Sequence, residues 1–201
     1  MPPKTLPARK AVVERKTKET QVKSVFNLDG SGQYAIDTPF PFLSHMLSAF
    51  AKHGSFDLTL SAKGDIEIDD HHTVEDIGIV LGQTIGKTLE NKEGVKRFGY
   101  ASIPLDEALA QVTIDLSGRP YLVYQVKLPR RKIRSFDGQM MHHFFRSLVD
   151  WSHITLHIRL LYGEDPHHIL EAIFKAFGQA LHQASRRDPR QKGIASTKGM
   201  L

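Results

Sequence analysis

The sequence predicts an α+β fold built from an internally duplicated unit, and two observations carry that prediction. First, residues 70–89 and 166–185 align 96 positions apart, each carries His-His-x-x-Glu from its second residue, and their apolar residues coincide at helical spacing. Second, short stretches that alternate apolar and polar residues precede both segments, as is typical of strands. We therefore expect a ββαββα-like unit that occurs twice and forms two sheets, each with helices on one face.

The chain is expected to divide into two halves with short ends. Half of such a unit would expose an apolar face, so the two halves must pack together, and an apolar content of 40% is enough for that core. The expected divisions are a loose arm at 1–8, a first half at 9–93, a second half at 94–186, and a C-terminal tail at 187–201 that contributes to the substrate site.

The elements of each half follow from periodicity and turn residues. In both halves, strands precede and separate two helices, and the last helix is the one that carries His-His-x-x-Glu. Asp70 is the expected N-cap of the first such helix, and Asp165 with Pro166 starts the second. The expected strands lie at 11–17, 21–28, 56–62, 66–69, 100–103, 109–116, 121–126 and 154–161, and the helices at 42–53, 70–90, 139–151 and 165–186.

Composition limits the kind of site this chain can build. The sequence has no cysteine and 11 histidines, so any metal ligands must be His, Asp or Glu. A net charge of +5 is compatible with nucleic acid but also with a small phosphorylated substrate. No stretch has the length of a membrane span, and the first ten residues lack the apolar core of a secretory signal, so we expect a cytoplasmic enzyme.

The repeated motif predicts metal binding. On a helix, His71 and Glu75 are i,i+4 neighbours that can reach one ion, and the same holds for His167 and Glu171. The second histidine of each motif points roughly 100° away and could serve a different ion. A single such motif could be an ordinary polar first turn, but two in register favour a metal site. Imidazole and carboxylate suit Mn, Fe, Zn or Ni without selecting one of them.

Further histidines extend the candidate ligand set. His45 and His143 lie 98 positions apart in matching helices, and together with the two motifs they give eight candidate ligands, enough for two ions with open positions for a substrate. These eight are His45, His71, His72, Glu75, His143, His167, His168 and Glu171. The repeat does not support His142, His153, His157 or His182 in the same way.

Cationic side chains form a second group of candidates. Arg97 follows a glycine-containing segment, Arg119 lies in a tight turn, and Lys175 is one turn beyond Glu171 on the same helix face. Lys198 follows the hydroxyl of Ser196 closely in the tail. Each alone would be an ordinary surface charge, but together they could bind a phosphate. The sequence does not establish that they converge.

Seven motifs taken in order resemble the imidazoleglycerol-phosphate dehydratase family, from about Arg15 to Leu201. Such a set in this order is highly specific. The resemblance implies a lyase that dehydrates imidazoleglycerol phosphate to imidazoleacetol phosphate in histidine biosynthesis, on a fold also seen in a ribosomal-protein domain. The motifs are RKTKET at 15–20, FLSHML at 42–47, DHHTVED at 70–76, PLDEAL at 104–109, DLSGRPY at 115–121, HHILEAIFKA at 167–176 and STKG at 196–199.

The resemblance also implies roles for particular residues. It implies two Mn(II) ions per active site, held by the eight candidate ligands named above, and a homo-oligomer of 24 subunits with sites shared between chains. Glu19 would lie near the reacting carbons. Catalytic positions would be Glu19, His45, His72, Glu75, His168 and Glu171. Substrate-binding positions would be Glu19, His53, Arg97, Arg119, Lys175, Ser196 and Lys198.

Two other functions use the same features. A di-metal phosphate-ester hydrolase could be built from the same ligand types, and it would release inorganic phosphate. A basic RNA-binding domain would need basic residues interleaved with exposed aromatic residues on one face. The only dense basic run spans 129–134, so we expect neither nucleic acid nor membrane as a partner.

Overall fold

The computed structural model describes residues 9–89, 92–129 and 132–200. The expected arm at 1–8 and Glu90, the expected end of the first motif helix, lie outside the described residues. In chain order the elements are β1 (Lys10–Lys16), β2 (Thr20–Asn27), β3 (Tyr34–Asp37), α1 (Pro41–Gly54), β4 (Asp57–Gly64), α2 (Asp70–Thr88), β5 (Phe98–Leu105), β6 (Ala108–Asp115), β7 (Tyr121–Gln125), β8 (Lys132–Ile133), β9 (Phe136–Asp137), α3 (Met140–Ser152), β10 (Thr155–Tyr162) and α4 (Pro166–Ser185).

The two halves have the same sheet topology, which confirms the α+β fold and the predicted duplication. The first sheet has the strand order β1-β2-β4-β3 and the second the order β5-β6-β10-β7. In each, the first three strands in this order are antiparallel, and the last pair is parallel. The short β8–β9 hairpin precedes α3, and the described residues of the first half have no hairpin at the equivalent place.

Each half therefore runs βββαβα, and the first half differs from prediction in two elements. The strand β3 precedes α1 and was not predicted. The strand expected at 66–69 is wrong: these residues form a turn in which Ile68 N–H donates to Asp65 O at 2.8 Å. Ile66 and Ile68 alternate with polar residues as in a strand, but they are 43% and 73% exposed, and no strand in the described part of the chain pairs with them.

The helices join the halves. α2 packs on the first sheet and α4 on the second, while α3 of the second half packs along α2, and α1 of the first half packs along α4. Glycines allow both helix contacts: a Cβ on Gly82 would lie 2.5 Å from Leu148 O, and one on Gly178 would lie 2.5 Å from Phe50 O. The apolar stripes of both motif helices are buried in one continuous core. Among the described helices, none is both long and apolar enough to cross a membrane.

Candidate active site

One candidate metal site joins α1 to the start of α4. Asp165 caps α4, because its side chain accepts from His167 N–H at 2.7 Å, so the helix begins just before His167. His167 and Glu171 therefore lie one helical turn apart on the same face. His45, on α1, completes the group: its Nε2 lies 3.3 Å from Glu171 Oε2, and His167 Nε2 lies 3.2 Å from the same oxygen. The three donor atoms lie within 4.8 Å of one another. Two imidazole nitrogens and a carboxylate oxygen at this separation fit a divalent transition ion.

A second set of candidate ligands, less closely grouped than the first, joins α2 to α3 in the equivalent position. His71 and Glu75 stand one turn apart on α2, with His71 Nε2 3.9 Å from Glu75 Oε2. The ring of His143, on α3, lies 4.4 Å from that of His71, centroid to centroid. The cap of α2 is Asp69, not Asp70 as predicted, because Asp69 accepts from His71 N–H at 3.0 Å. Each candidate site therefore takes its lone histidine from one half and its His-x-x-x-Glu pair from the other.

The second histidine of each motif takes a different direction, as its position on the helix predicts. His72 Nδ1 lies 3.3 Å from Asp65 Oδ2, and His168 Nδ1 lies 2.7 Å from Glu107 Oε2. These hydrogen bonds to carboxylates raise the pKa of both imidazoles. The pKa of Glu107 is lowered to about 2, mainly because it accepts a hydrogen bond from the backbone N–H of Asp165 and secondly because of its hydrogen bond with His168. Sequence reasoning gave Asp65 and Glu107 no role.

Three further predicted site residues lie near these clusters. Lys175 Nζ is 2.8 Å from Glu171 Oε1. Burial works to raise the pKa of Glu171, but the Lys175 ammonium and the hydrogen bond with His45 hold it below its ordinary value. His53, at the end of α1, has a lowered pKa from partial burial and from the Lys175 charge. Glu19 is exposed in the β1–β2 turn, where its charge helps to raise the pKa of His72.

The other predicted phosphate-binding residues gather elsewhere. Arg97 donates to both oxygens of Asp115, at 2.7 and 3.1 Å, and to Ala195 O at 2.7 Å, so it holds the tail against the second sheet. Ser196 and Lys198 follow in that tail. Arg119 lies in the turn after β6, three residues beyond Leu116, whose N–H donates to Arg97 O at 3.0 Å. Because Arg97 N–H donates to Ala184 O near the end of α4, this group lies roughly 25 Å along the helix from His167. One chain does not bring it to the histidines.

A cavity of about 570 Å³ opens beside the first cluster and contains residues that sequence reasoning missed. Its lining includes His45 and His167, together with Arg134 and Phe136 from the β8–β9 hairpin. Phe42 connects the hairpin to the histidine cluster, because its ring lies 5.5 Å from that of Phe136 and 5.4 Å from that of His167, centroid to centroid. The only sequence signal for this hairpin was the basic run at 129–134, of which residues 130 and 131 lie outside the described part.

A second cavity, of about 480 Å³, lies beside the other cluster and is lined by Tyr124, His142 and His143. The ring of His142 packs against that of Tyr124 at 5.2 Å, edge to face. Burial lowers the pKa of His142, with a further contribution from neighbouring His143. His142 therefore lines the approach to His143, although the repeat pattern did not select it.

Comparisons with known proteins agree with this arrangement. Residues 38–181 match the profile of the family described as imidazoleglycerol-phosphate dehydratase. Proteins of that name from Geobacter metallireducens and Bacillus subtilis are 53% and 52% identical to this chain, each alignment covering 96% of it and 100% of the relative. A crystal structure of the imidazoleglycerol-phosphate dehydratase from Staphylococcus aureus is 38% identical in sequence, with a TM-score of 0.80 over 89% of this chain and all of that one. A Pyrococcus furiosus structure, in complex with (S)-C348, is 36% identical, with a TM-score of 0.80 over 94% of this chain and all of that one. The chain belongs to the imidazoleglycerol-phosphate dehydratase family.

Proposed function

We propose that this chain removes water from imidazoleglycerol phosphate to give imidazoleacetol phosphate, as a step of histidine biosynthesis. The observation that carries the proposal is a pair of His-His-Glu sets in matching positions, each brought together across the two halves, in a chain of this family. The donor atoms of His45, His167 and Glu171 converge to within 4.8 Å. The substrate loses a hydroxyl group and a carbon-bound hydrogen, and the resulting enol becomes a ketone with the phosphate retained.

Two Mn(II) ions are the proposed cofactors. His45, His167 and Glu171 would hold one ion, and His143, His71 and Glu75 would hold the other, because each set presents two imidazoles and a carboxylate. When bound, such ions supply Lewis acidity that stabilises negative charge on the imidazole of the substrate. Lys175 keeps Glu171 ionised, since its ammonium contributes to the lowered pKa of that carboxyl.

The complete active site is proposed to form between copies of the chain. Two facts support this: His72 and His168 do not join the clusters of their own chain, and Arg97 lies roughly 25 Å along α4 from His167. Neighbouring copies could supply both missing parts, with His72 and His168 completing the coordination of the two ions. The assembly expected from the family resemblance is a homo-oligomer of 24 subunits.

The remaining side chains divide into proton handling and substrate binding. Glu19 is exposed in a turn close to His72, so its carboxylate can exchange a proton with a substrate at that site. His53 would contact the substrate. The proposed phosphate-binding residues are Arg97, Arg119, Lys175, Ser196 and Lys198. Arginine and lysine give charge-assisted hydrogen bonds to phosphate oxygens, and the Ser196 hydroxyl adds a neutral one.

The deciding experiment is an assay with imidazoleglycerol phosphate, first with added Mn(II) and then with a chelator. We expect a ketone product that retains its phosphate, and loss of that product on chelation. Release of inorganic phosphate in place of the ketone would favour the di-metal hydrolase, which the family assignment does not support. No ketone with any divalent metal would refute the proposal. The cytoplasmic location stays a prediction.

A further inference from the structure

Two carboxylates outside the predicted ligand set hold the second histidine of each motif. Asp65 follows β4 and reaches His72 Nδ1 at 3.3 Å, while Glu107 lies in the β5–β6 turn and reaches His168 Nδ1 at 2.7 Å. The two carboxylates do not correspond in the repeat, because one follows the fourth strand of its half and the other lies between the first two strands. The same contact is therefore made by two different structural elements.

The contact determines which nitrogen of each imidazole can bind a metal. An ionised carboxylate only accepts hydrogen bonds, so Nδ1 must carry the proton that it donates. In a neutral imidazole this leaves the lone pair on Nε2, which is then the available metal donor. A carboxylate behind a histidine also fixes the ring orientation and raises its basicity as a ligand.

Glu107 is itself held in place. Its Oε1 accepts from the backbone N–H groups of Glu164 and Asp165, at 3.1 and 2.7 Å, while Oε2 faces His168. The nearest competing carboxylate, Asp106, lies 3.7 Å from His168 Nε2, beyond hydrogen-bond distance, and its side chain is 73% exposed. Asp65 is also mostly buried, with Oδ2 directed at His72.

We propose that Asp65 and Glu107 are positioning residues that fix His72 and His168 with Nε2 as the metal donor to a neighbouring copy of the chain. This inference rests on the proposed function, because it assigns these histidines to the shared Mn(II) sites. Asp65 and Glu107 are thereby added to those sites as residues that keep the proton of the neighbouring imidazole on Nδ1.

The test uses Glu107→Gln and Asp65→Ala in the full chain. Alanine is used at position 65 because Asp65 Oδ1 has no hydrogen-bond partner among the described residues, so an amide there could turn its carbonyl oxygen to Nδ1. An amide of the same size can still accept from the backbone at Glu107, but its NH₂ group then faces Nδ1 and donates to it. The proton must move to Nε2, which removes the metal donor. We expect Mn(II) affinity to fall about 10–100-fold in each variant, measured from free Mn(II) by electron paramagnetic resonance. The melting temperature of the metal-free chain should stay at the wild-type value.

Matched controls are Glu164→Gln and Glu67→Gln, which remove a neighbouring exposed carboxylate in each region. Both should bind Mn(II) like wild type. A wild-type chain that binds no Mn(II) would overturn the proposed function and this inference together. Wild-type binding that both variants retain in full would overturn the inference alone. Should Glu107→Gln lower the melting temperature of the metal-free chain, Asp65→Ala decides, because the Asp65 side chain does not share the backbone contacts of Glu107.

Discussion

The contact between α2 and α3 links helix packing to the geometry of one candidate metal site. A Cβ placed on Gly82 would lie 2.5 Å from Leu148 O and 3.0 Å from its Cα. These neighbours are backbone atoms, so Gly82→Ala must move the helices apart by about 0.5 Å even to reach a 3.0 Å contact. Gly86, one turn later, faces the same helix more loosely, with Trp151 O at 3.2 Å. Gly86→Ala is therefore a matched control.

Two opposing effects set the size of the change. Overpacking a tight contact costs about 1–3 kcal/mol, while replacing a helical glycine by alanine returns about 0.5–1 kcal/mol. We expect Gly82→Ala to be destabilised by about 1–2 kcal/mol and Gly86→Ala to stay within about 0.5 kcal/mol of wild type. Because α2 carries His71 and α3 carries His143, the separation should also weaken Mn(II) binding.

The measurement is urea unfolding of the metal-free chain, followed by circular dichroism at one fixed protein concentration, since assembly would make the midpoint concentration-dependent. Mn(II) affinity is then measured on the same samples. Equal midpoints for Gly82→Ala and Gly86→Ala would refute the close packing of α2 against α3. A destabilised Gly82→Ala with unchanged Mn(II) affinity would refute the link between this packing and the metal site.

Three further predictions address the clusters, the tail and acid stability. Glu171→Gln removes the oxygen shared by His45 and His167, and metal analysis should find Mn(II) affinity reduced at least about 10-fold, together with the dehydratase rate. Lys198→Ala should raise the KM for imidazoleglycerol phosphate roughly 10-fold at unchanged Mn(II) content; an unchanged KM would contradict a phosphate role. The hydrogen bonds from Arg9 hold the pKa of Asp29 below 3.8, so this pair stabilises the fold at neutral pH and the contribution is lost as pH falls through the lowered value. Arg9→Ala should lose about 1 kcal/mol more in urea unfolding at pH 7 than well below pH 3.8, where only its hydrogen bond to Ser185 O remains to be lost; an equal loss at both pH values would contradict the pairing.

The sequence was most informative where one helix face carries the whole signal. The motif helices were predicted at 70–90 and 165–186 and run Asp70–Thr88 and Pro166–Ser185, because their buried stripes repeat at helical spacing and Asp165 is a strong cap. Tyr34–Asp37 was missed because it has four mostly exposed residues, and its parallel pairing with β4 lies across α1. No local pattern reports a pairing of that kind.

Among the residues of the candidate site, too, the sequence predicted contacts within one helix and missed contacts between distant segments. The i,i+4 rule gave His71 with Glu75 and His167 with Glu171, and the helical turn gave the separate direction of His72 and His168. Glu107 could not be found in this way, because it reaches His168 from 61 positions away. It lies inside the PLDEAL motif, so the sequence marked the segment without assigning the carboxylate a partner.

Duplication explains why the two clusters are equivalent, and fusion explains why they can differ. Each cluster needs a short helix from one half and a motif helix from the other, so a separate half could complete a cluster only by pairing with a second copy. Once fused, the halves are free to diverge. Glu171 is paired with Lys175 and its side chain is 15% exposed, whereas Glu75 is 47% exposed and the position equivalent to Lys175 is Ile79. A cation bound at Glu171 would therefore meet a nearby ammonium that a cation at Glu75 does not, and the Glu171 site should bind its ion more weakly unless the substrate phosphate neutralises Lys175.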